Sequence, residues 1–356
     1  PDQTRPDQTR PDQTRPDQLI ARNSSLELLR IIGMVIIVAC HTNHGGFNFP
    51  ASSITINHLW QQFIYMGGGL GNCIFVMLSG YFLIASEGIS LRKLLNLWTR
   101  IFFWSVVIFC AFVYSGIVPF SFRSALRAFM PVTRSQWWFA STYFVMYLVH
   151  PYVNRLLHSF TREEYRKFLL SVMIYWCIIP MLTKSDFGAN DTINFICVYS
   201  IAGYLRLYGV DLRGRKYLLY ALGFIWINFM STIFFDLIGL KIAIAAKGAL
   251  YLHPMMRPFT IAAALCLLAG FRGLNIPYSK LINTIASATF GVYLIHDSNL
   301  VRPFLWHEVF RNASFQDSSY LIPYSVAVIL IVYLVCTLLE LVRSKIFMVI
   351  SRGGLS

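Results

Sequence analysis

The chain has 356 residues, of which 56% are hydrophobic and only 13% are charged, and its mean hydropathy is positive. A soluble domain carries about a quarter of its residues as charges, so this composition excludes an ordinary soluble protein. The net charge of +14 would fit nucleic-acid binding, but the basic residues lie in short segments between apolar runs, as membrane topology requires. We therefore predict a multi-pass membrane protein that binds no nucleic acid.

The chain begins with a polar repeat in which PDQTR occurs three times and is followed by PDQ. The repeat offers no side chains that would form a core, so we predict that residues 1–21 are disordered. The unit also has a property at the level of DNA: the nucleotides CCAGA, read through three frames, encode Pro-Asp-Gln-Thr-Arg. Such a tandem repeat changes length by replication slippage, which predicts phase-variable expression of the downstream frame.

Ten apolar segments follow, most of them near the ~20 residues that a transmembrane helix needs. They cover residues 25–43, 62–86, 94–117, 139–157, 166–183, 194–209, 217–238, 259–271, 283–298 and 320–343. With the N-terminus inside, about twice as many basic residues fall on the inner side as on the outer side. The sequence thus predicts an all-α, polytopic bundle of about ten transmembrane helices with both termini in the cytoplasm. The membrane domain spans residues 22–345, and residues 346–356 form a cytoplasmic tail.

The seven cysteines all lie in or beside apolar runs, without a C-x-x-C pair. This spacing predicts neither a disulfide framework nor a thiolate metal site. His44 follows His41 by three residues, but no Asp, Glu or Cys accompanies the pair in the sequence. We therefore predict no metal site.

The first apolar segment, LELLRIIGMVIIVACHTNHGG at residues 26–46, keeps two polar side chains on one face. Ser24 and Glu27 have the spacing of a capping box, which would start the helix at this point. At 100° per residue, Arg30 and His41 then face the same way, about 16 Å apart along the axis. A buried charge is costly in lipid, so both should face the bundle interior. Alternatively, Arg30 pairs with Glu27 or reaches the inner interface, and His41 is an ordinary hydrogen-bonded residue at a helix end.

Four motifs in order give the sequence a family resemblance. They are LELLR followed by ten residues and His41, CIFVMLSGYFL at 73–83, WWFASTYFVMYLVHP at 137–151 and ATFGVYLIH at 288–296. In this order they resemble the acyltransferase 3 family of integral membrane acyltransferases. The resemblance implies ten spans and transfer of an acyl group, usually acetyl from acetyl-CoA, to a carbohydrate hydroxyl. Relatives of this kind O-acetylate lipopolysaccharide O-antigen and other surface glycans.

The resemblance also implies roles for individual residues. Arg30 and His41 correspond to the family's Arg-x10-His pair, in which the histidine is essential for transfer. Ser79 and Gly80 lie in the second motif. The family's Arg-x-x-Arg pair at the start of the third span is incomplete here, because Leu97 stands where the first arginine would fall.

Physical chemistry assigns these residues plausible tasks. Coenzyme A is a polyanion, so Arg92, Lys93, Arg100 and also Arg30 could hold its phosphates at the inner mouth. The same basic residues equally satisfy the positive-inside rule. His41 suits a general base at neutral pH, and an acyl-histidine relay is a second route.

Four further residues have less certain tasks. The Ser79 hydroxyl or the Gly80 amide could polarise the thioester, although small residues in membrane helices usually serve close packing. Trp138 is a candidate for binding the acceptor by sugar stacking, or a member of the interfacial aromatic belt. His296 is a candidate for lining the acceptor cavity, or a structural residue at a helix end.

The combined interpretation is a multi-pass O-acetyltransferase of the bacterial inner membrane with no permanently bound cofactor. Acetyl-CoA is the predicted donor, and a lipid-linked or lipopolysaccharide glycan, O-antigen above all, is the predicted acceptor. A polysaccharide flippase or small-molecule transporter is the rival, since it too would have ten to twelve helices and buried charges. A glycan polymerase is a third hypothesis, although the outer loops are shorter than the long loop expected of a polymerase. Asp236 and Glu340 fall within predicted spans, and the sequence assigns neither a partner.

Overall fold

The computed structural model describes residues 23–49, 54–185, 188–209 and 214–353. Within these ranges the chain is helical and has no β-strand, which confirms the predicted all-α class. The predicted disordered tract 1–21 lies outside the described residues.

The described residues form fourteen α-helices in chain order. They are α1 (Ser24–His41), α2 (Ile56–Leu83), α3 (Leu91–Tyr114), α4 (Phe122–Phe129), α5 (Trp138–Ser159), α6 (Arg162–Met173), α7 (Ile179–Thr183), α8 (Asp191–Tyr208), α9 (Gly214–Gly239), α10 (Ala243–Ala246), α11 (Pro258–Arg272), α12 (Lys280–His296), α13 (Val301–Pro303) and α14 (Leu321–Gly353). A π-helical turn at Ile174–Ile178 joins α6 to α7, and a second one follows α13 at Phe304–Val309.

Every one of the ten apolar segments contains a helix. Six helical stretches among the described residues are long and apolar enough to cross a membrane: Ser24–Gly45, Ile56–Leu83, Leu91–Tyr114, Arg162–Thr183, Gly214–Gly239 and Leu321–Ile350. The helices α5, α8, α11 and α12 fill the remaining four segments. The six candidate spans among the described residues indicate a membrane protein, and passage of all ten helices through the bilayer stays a prediction.

The start of α1 differs from the predicted capping box. Asn23 is the N-cap, and its side-chain oxygen accepts hydrogen bonds from the backbone N–H groups of Ser25 and Leu26. Ser24 instead accepts from the Ser279 amide at 2.9 Å, and the Glu27 side chain pairs with Arg30. The capping-box prediction was wrong because both of its side chains are used in other contacts.

Glycines bring the two central helices together. Gly67 and Gly71, one turn apart on α2, lie against the backbone of α1, where a Cβ would overlap the carbonyl oxygens of Ile36 and Gly33. Small residues at this spacing allow close van der Waals packing, which is the main attraction between helices in lipid. More than half of the apolar window of α1 and of α2 is buried, whereas Arg162–Thr183 and α9 expose most of theirs. The pair α1 and α2 thus forms the centre of the bundle.

Helix α12 runs parallel to α1, and this arrangement defines the two ends of the bundle. Ser24 contacts Ser279 and Asn283 where both helices begin, and His41 contacts His296 where both end. We call these the Arg30 end and the His41 end. The last helix, α14, continues to Gly353, so the first part of the segment predicted as a tail, 346–356, is helical.

Candidate active site

The His41 end holds two histidines in direct contact. His41 is the last residue of α1 and His296 the last of α12, and His41 Nδ1 lies 2.9 Å from His296 Nε2. The other nitrogen of His296, Nδ1, lies 2.6 Å from the carbonyl oxygen of Val292, one turn earlier on α12. His296 is completely buried. The imidazole of His296 is therefore fixed by its own helix and in turn fixes His41.

These contacts determine which nitrogen of His41 is basic. A carbonyl oxygen only accepts, so His296 Nδ1 donates to Val292, and Nε2 of a neutral His296 is an acceptor. His41 must then donate from Nδ1 to His296. In the neutral ring the lone pair then lies on His41 Nε2. This tautomer follows from the hydrogen-bond network. His41 is thus oriented as a proton acceptor through Nε2.

A carboxylate stands beside the donating nitrogen. Asp297, the residue after His296, has Oδ1 3.4 Å from His41 Nδ1 and 2.9 Å from Arg302 Nη2. Arg302 Nη2 also donates to the Asp297 carbonyl oxygen at 3.3 Å. Asp297 is 2% exposed, so its charge acts on His41 with little screening by water. A carboxylate in this position stabilises the imidazolium that forms when Nε2 takes a proton.

The sequence analysis did not predict Asp297 and Arg302 as site residues. Asp297 directly follows the motif ATFGVYLIH, and an acidic residue beside a motif histidine at the end of an apolar helix was an available signal. Arg302 lies in the short helix α13. The sequence alone does not distinguish it from the other arginines between the apolar segments. Its role depends on tertiary contact with Asp297.

The same cluster has the composition of a metal site. Ligand atoms of His41, His44 and Asp297 lie within 4.8 Å of one another, so the structure supplies the acidic companion that the sequence did not show beside the two histidines. Since His41 Nδ1 contacts His296 and Asp297, a metal would have to bind Nε2. That nitrogen is also the basic one, so metal binding and proton acceptance by His41 exclude each other.

A cavity of about 740 Å³ opens at His41, and we call it the His41 cavity. Besides His41 and His44 it is lined by Tyr65, Trp138 and Tyr251. Trp138, which the sequence analysis named as a candidate for acceptor binding, is therefore part of this cavity, and its role stays a prediction. His296 is not part of this lining but lies behind His41.

A third histidine, His253, lines the His41 cavity from the loop between α10 and α11. His253 Nε2 contacts the Thr232 hydroxyl at 2.8 Å, and burial lowers the pKa of His253 to about 4. At neutral pH His253 therefore contributes a neutral imidazole to the cavity wall, and it carries no charge there that would compete with His41.

A second cavity, of about 420 Å³, lies toward the Arg30 end, and we call it the Arg30 cavity. Arg30, Lys93, Arg100 and Ser79 line it. Arg92 is exposed and lies outside this lining. The structure therefore brings three of the four predicted phosphate-binding cations to one cavity.

The three cations of the Arg30 cavity differ in their partners. Arg30 pairs with Glu27, the alternative that the sequence left open, and Arg100 Nε lies 3.3 Å from Glu340 Oε1. Within the described ranges, Lys93 forms no ion pair. Its positive charge is the least compensated of the three.

Glu340, which had no partner in the sequence, is the centre of a buried network. It is 1% exposed and accepts two hydrogen bonds from Arg343, at 2.9 and 2.6 Å, and one from Trp104 Nε1 at 2.7 Å. On α12, a Cβ at Gly291 would overlap the Glu340 carboxylate. The glycine of the motif ATFGVYLIH therefore makes room for this carboxylate.

Gly80 has a packing role in the structure. A Cβ at Gly80 would meet the backbone of Tyr199 on α8, and Gly80 is not among the described residues that line the Arg30 cavity. Ser79 does line it, and its hydroxyl donates to the Phe75 carbonyl oxygen at 2.9 Å. Ser79 and His41 face different cavities.

Three aromatic rings, of Phe75, Phe139 and Tyr293, form a chain of contacts from the Arg30 cavity to His296, and we call them the aromatic partition. Phe75 and Phe139 line the Arg30 cavity with ring centroids 6.4 Å apart. Phe139 lies 5.9 Å from Tyr293, whose ring lies 6.5 Å from that of His296. Phe139 also contacts Trp138, which lines the His41 cavity, with ring centroids 5.7 Å apart.

The described residues form a bundle with six candidate spans. Its two cavities, one lined by cations and one by the paired His41, define a polytopic membrane protein with a site inside its helices. Residues 23–341 match the acyltransferase 3 family, described as an acyltransferase domain. This match covers most of the chain, which therefore belongs to the acyltransferase 3 family and is a membrane acyltransferase. No curated protein and no solved structure is significantly similar to it.

Proposed function

We propose that the protein is a membrane O-acetyltransferase that moves an acetyl group from acetyl-CoA to a hydroxyl of a bacterial surface glycan, above all a lipid-linked O-antigen. The observation that carries the proposal is His41, held through Nδ1 by His296 at 2.9 Å and facing a cavity of about 740 Å³. In this proposal ten helices cross the inner membrane, and the Arg30 end and both termini lie in the cytoplasm. The larger number of basic residues on that side supports the orientation.

The donor would bind in the Arg30 cavity. Acetyl-CoA is made in the cytoplasm, and the cations at the mouth of this cavity match its phosphates. Its uncharged pantetheine arm would pass the aromatic partition and bring the thioester to His41. Displacement of Phe139 and Tyr293 would open this path, and closure would keep water away from the thioester between turnovers.

The acceptor would bind in the His41 cavity, where Trp138, Tyr65 and Tyr251 offer rings for sugar stacking. His41 Nε2 takes the proton of the acceptor hydroxyl as its oxygen attacks the thioester carbonyl. The carbonyl re-forms, the C–S bond breaks, and the proton passes from His41 to the leaving thiolate. Asp297 stabilises the imidazolium between these two transfers. In the alternative relay, His41 Nε2 itself carries the acetyl group.

Glycan analysis tests the proposal. Cells whose PDQTR repeat is in frame are compared with out-of-frame cells, by mass spectrometry and proton NMR of the surface glycan. We expect in-frame cells alone to show mass steps of one acetyl group and O-acetyl signals that mild alkali removes. A flippase or other transporter would change the amount or location of the glycan and leave its acetyl content unchanged.

Lys93 provides a test of the donor site. Replacing Lys93 by glutamine removes the least compensated cation of the Arg30 cavity, and we expect KM for acetyl-CoA to rise roughly tenfold with kcat little changed. Arg92→Gln is the matched control, because Arg92 is the adjacent cation and lies outside the cavity lining. Steady-state kinetics of the purified proteins would measure both. Equal effects of the two substitutions, or a decrease confined to kcat, would show that acetyl-CoA does not bind in this cavity.

A further inference from the structure

A third cavity, of about 450 Å³, lies at the His41 end beside α4, and we call it the Arg127 cavity. Its polar lining consists of Arg127 and Ser124 from α4, Arg134 and Gln136 from the loop before α5, and Asn299 from the loop after α12. No Asp or Glu lines it. Neither arginine forms an ion pair with any residue in the described part of the chain. The cavity thus combines two uncompensated positive charges.

The neutral side chains of the Arg127 cavity are oriented to donate. The Ser105 hydroxyl oxygen lies 2.6 Å from the side-chain amide of Gln136, and with either orientation of that amide Gln136 keeps at least one N–H for another partner. The Ser124 oxygen accepts from Ser121 at 2.8 Å and keeps its own proton to donate. Ser105 is completely buried, and its single hydroxyl hydrogen can be donated to the Ala128 carbonyl oxygen at 2.7 Å, so Ser105 joins α4 to the loop that carries Gln136. The lining therefore offers neutral hydrogen-bond donors beside the two arginines.

Helix α4 has the character of a helix that lies in a membrane interface. Phe122, Leu126 and Phe129 form one exposed apolar stripe, with Phe122 79% exposed. Ser124, Arg127 and Ala128 follow the other side of the helix, toward the cavity. An amphipathic helix of this kind places its apolar stripe among acyl chains and its cationic side at the level of the head groups.

We propose that the Arg127 cavity binds the phosphate group of a lipid whose chains lie along the apolar stripe of α4. Guanidinium groups pair with phosphate oxygens in two-point geometry, and hydroxyl and amide donors complete the shell. Two lipids carry this chemistry: a phospholipid, through its head group, and the lipid carrier of the glycan acceptor, through its diphosphate. The second source rests on the proposed function.

The position of the Arg127 cavity, close to the His41 cavity, supports the lipid carrier of the acceptor as its ligand. Gln136 lies two residues before Trp138 of the His41 cavity, and Asn299 lies two residues after Asp297. A carrier held by its phosphate at Arg127 and Arg134 would have its first sugars next to His41. Anchoring the lipid in this way would raise the local concentration of the acceptor hydroxyl at the base.

Calorimetric titration of the purified full-length protein in a neutral detergent tests the proposal. The probes are geranylgeranyl diphosphate, short-chain phosphatidylglycerol and inorganic phosphate. We expect the double substitution Arg127→Gln and Arg134→Gln to weaken binding of the lipid probes at least about tenfold. The corresponding double lysine variant should lose less, since it keeps the charges. Arg123→Gln is the control, because Arg123 is on α4 but outside the cavity lining, and it should leave affinity unchanged.

Several outcomes overturn the proposal. They are unchanged lipid binding by the double glutamine variant, equal loss in Arg123→Gln, or binding of inorganic phosphate as tight as that of the lipid probes. Stronger binding of geranylgeranyl diphosphate supports the acceptor carrier as ligand, and stronger binding of phosphatidylglycerol supports a phospholipid. No acetyl donor is present in this assay, so its result is independent of whether the proposed acetyl transfer is correct.

Discussion

Replacing His41 by glutamine is expected to lower the rate of acetyl transfer by about 10²- to 10⁴-fold, the usual contribution of a general base. Glutamine has nearly the size of histidine, and its amide nitrogen can still donate to His296 Nε2, so the local packing is kept. What the variant loses is the lone pair at Nε2 and the ability to become an imidazolium beside Asp297. Initial rates with labelled acetyl-CoA and purified acceptor glycan would measure the change.

His44→Gln is the matched control for this prediction, because both histidines line the same cavity. If His41 is a base, His44→Gln should keep most of the activity. If His41, His44 and Asp297 hold a catalytic metal, both substitutions should abolish transfer, and a chelator should inactivate the wild type. Transfer at the wild-type rate in a well-folded His41→Gln protein would rule out any catalytic role for His41.

A rapid-quench experiment separates the two roles left open for His41. Wild-type protein is mixed with labelled acetyl-CoA in the absence of acceptor. Label retained on the protein, and lost in His41→Gln, would indicate an acetyl-histidine intermediate. Without such label, direct attack by the acceptor hydroxyl with His41 as base is the remaining route.

The helices could be predicted because their signal is local. A run of apolar residues predicts a helix by itself, and each of the ten predicted segments contains a helix. Six of the described helical stretches are also long and apolar enough to cross a membrane. The start of α1 was misjudged by a single residue, since Asn23, Ser24 and Ser25 are all good N-cap residues. Tertiary contacts decided among them: Ser24 and Ser25 are bonded to the segment before α12.

The site could be predicted only where a residue carried its own signal. His41 is conspicuous as a histidine at the end of an apolar helix. Arg30 is conspicuous because placing a charge in lipid costs free energy. The contact of His41 with His296 joins residues 255 positions apart, and no spacing rule reaches that far. Arg343 is different, since it lies three residues after Glu340 and the ordinary helical pairing rule would have found it.

Glu340 joins the last helix to the wall of the Arg30 cavity. Its carboxylate lies within 3.3 Å of Arg100 and 2.6 Å of Arg343, and Trp104 donates to it from α3. The carboxylate thus compensates two guanidinium groups at once, one of which lines the cavity. It also explains how Arg100 and Arg343 can lie close together inside an apolar bundle.

Glu340→Gln is therefore expected to be one of the most destabilising single substitutions in the protein, at about 3–5 kcal/mol, because it leaves the buried Arg343 and the partly exposed Arg100 without a counter-charge. Glu163→Gln is the control: it removes an equivalent carboxylate whose pair with Lys167 is exposed, and surface pairs of this kind contribute little. The free energy of unfolding of each purified variant, from SDS titration in mixed micelles, would measure both. Adding Arg100→Gln to Glu340→Gln should restore part of the loss, since one uncompensated charge is removed. Equal stability of Glu340→Gln and Glu163→Gln would mean that water or lipid phosphate reaches these arginines and that the network is not sealed from solvent.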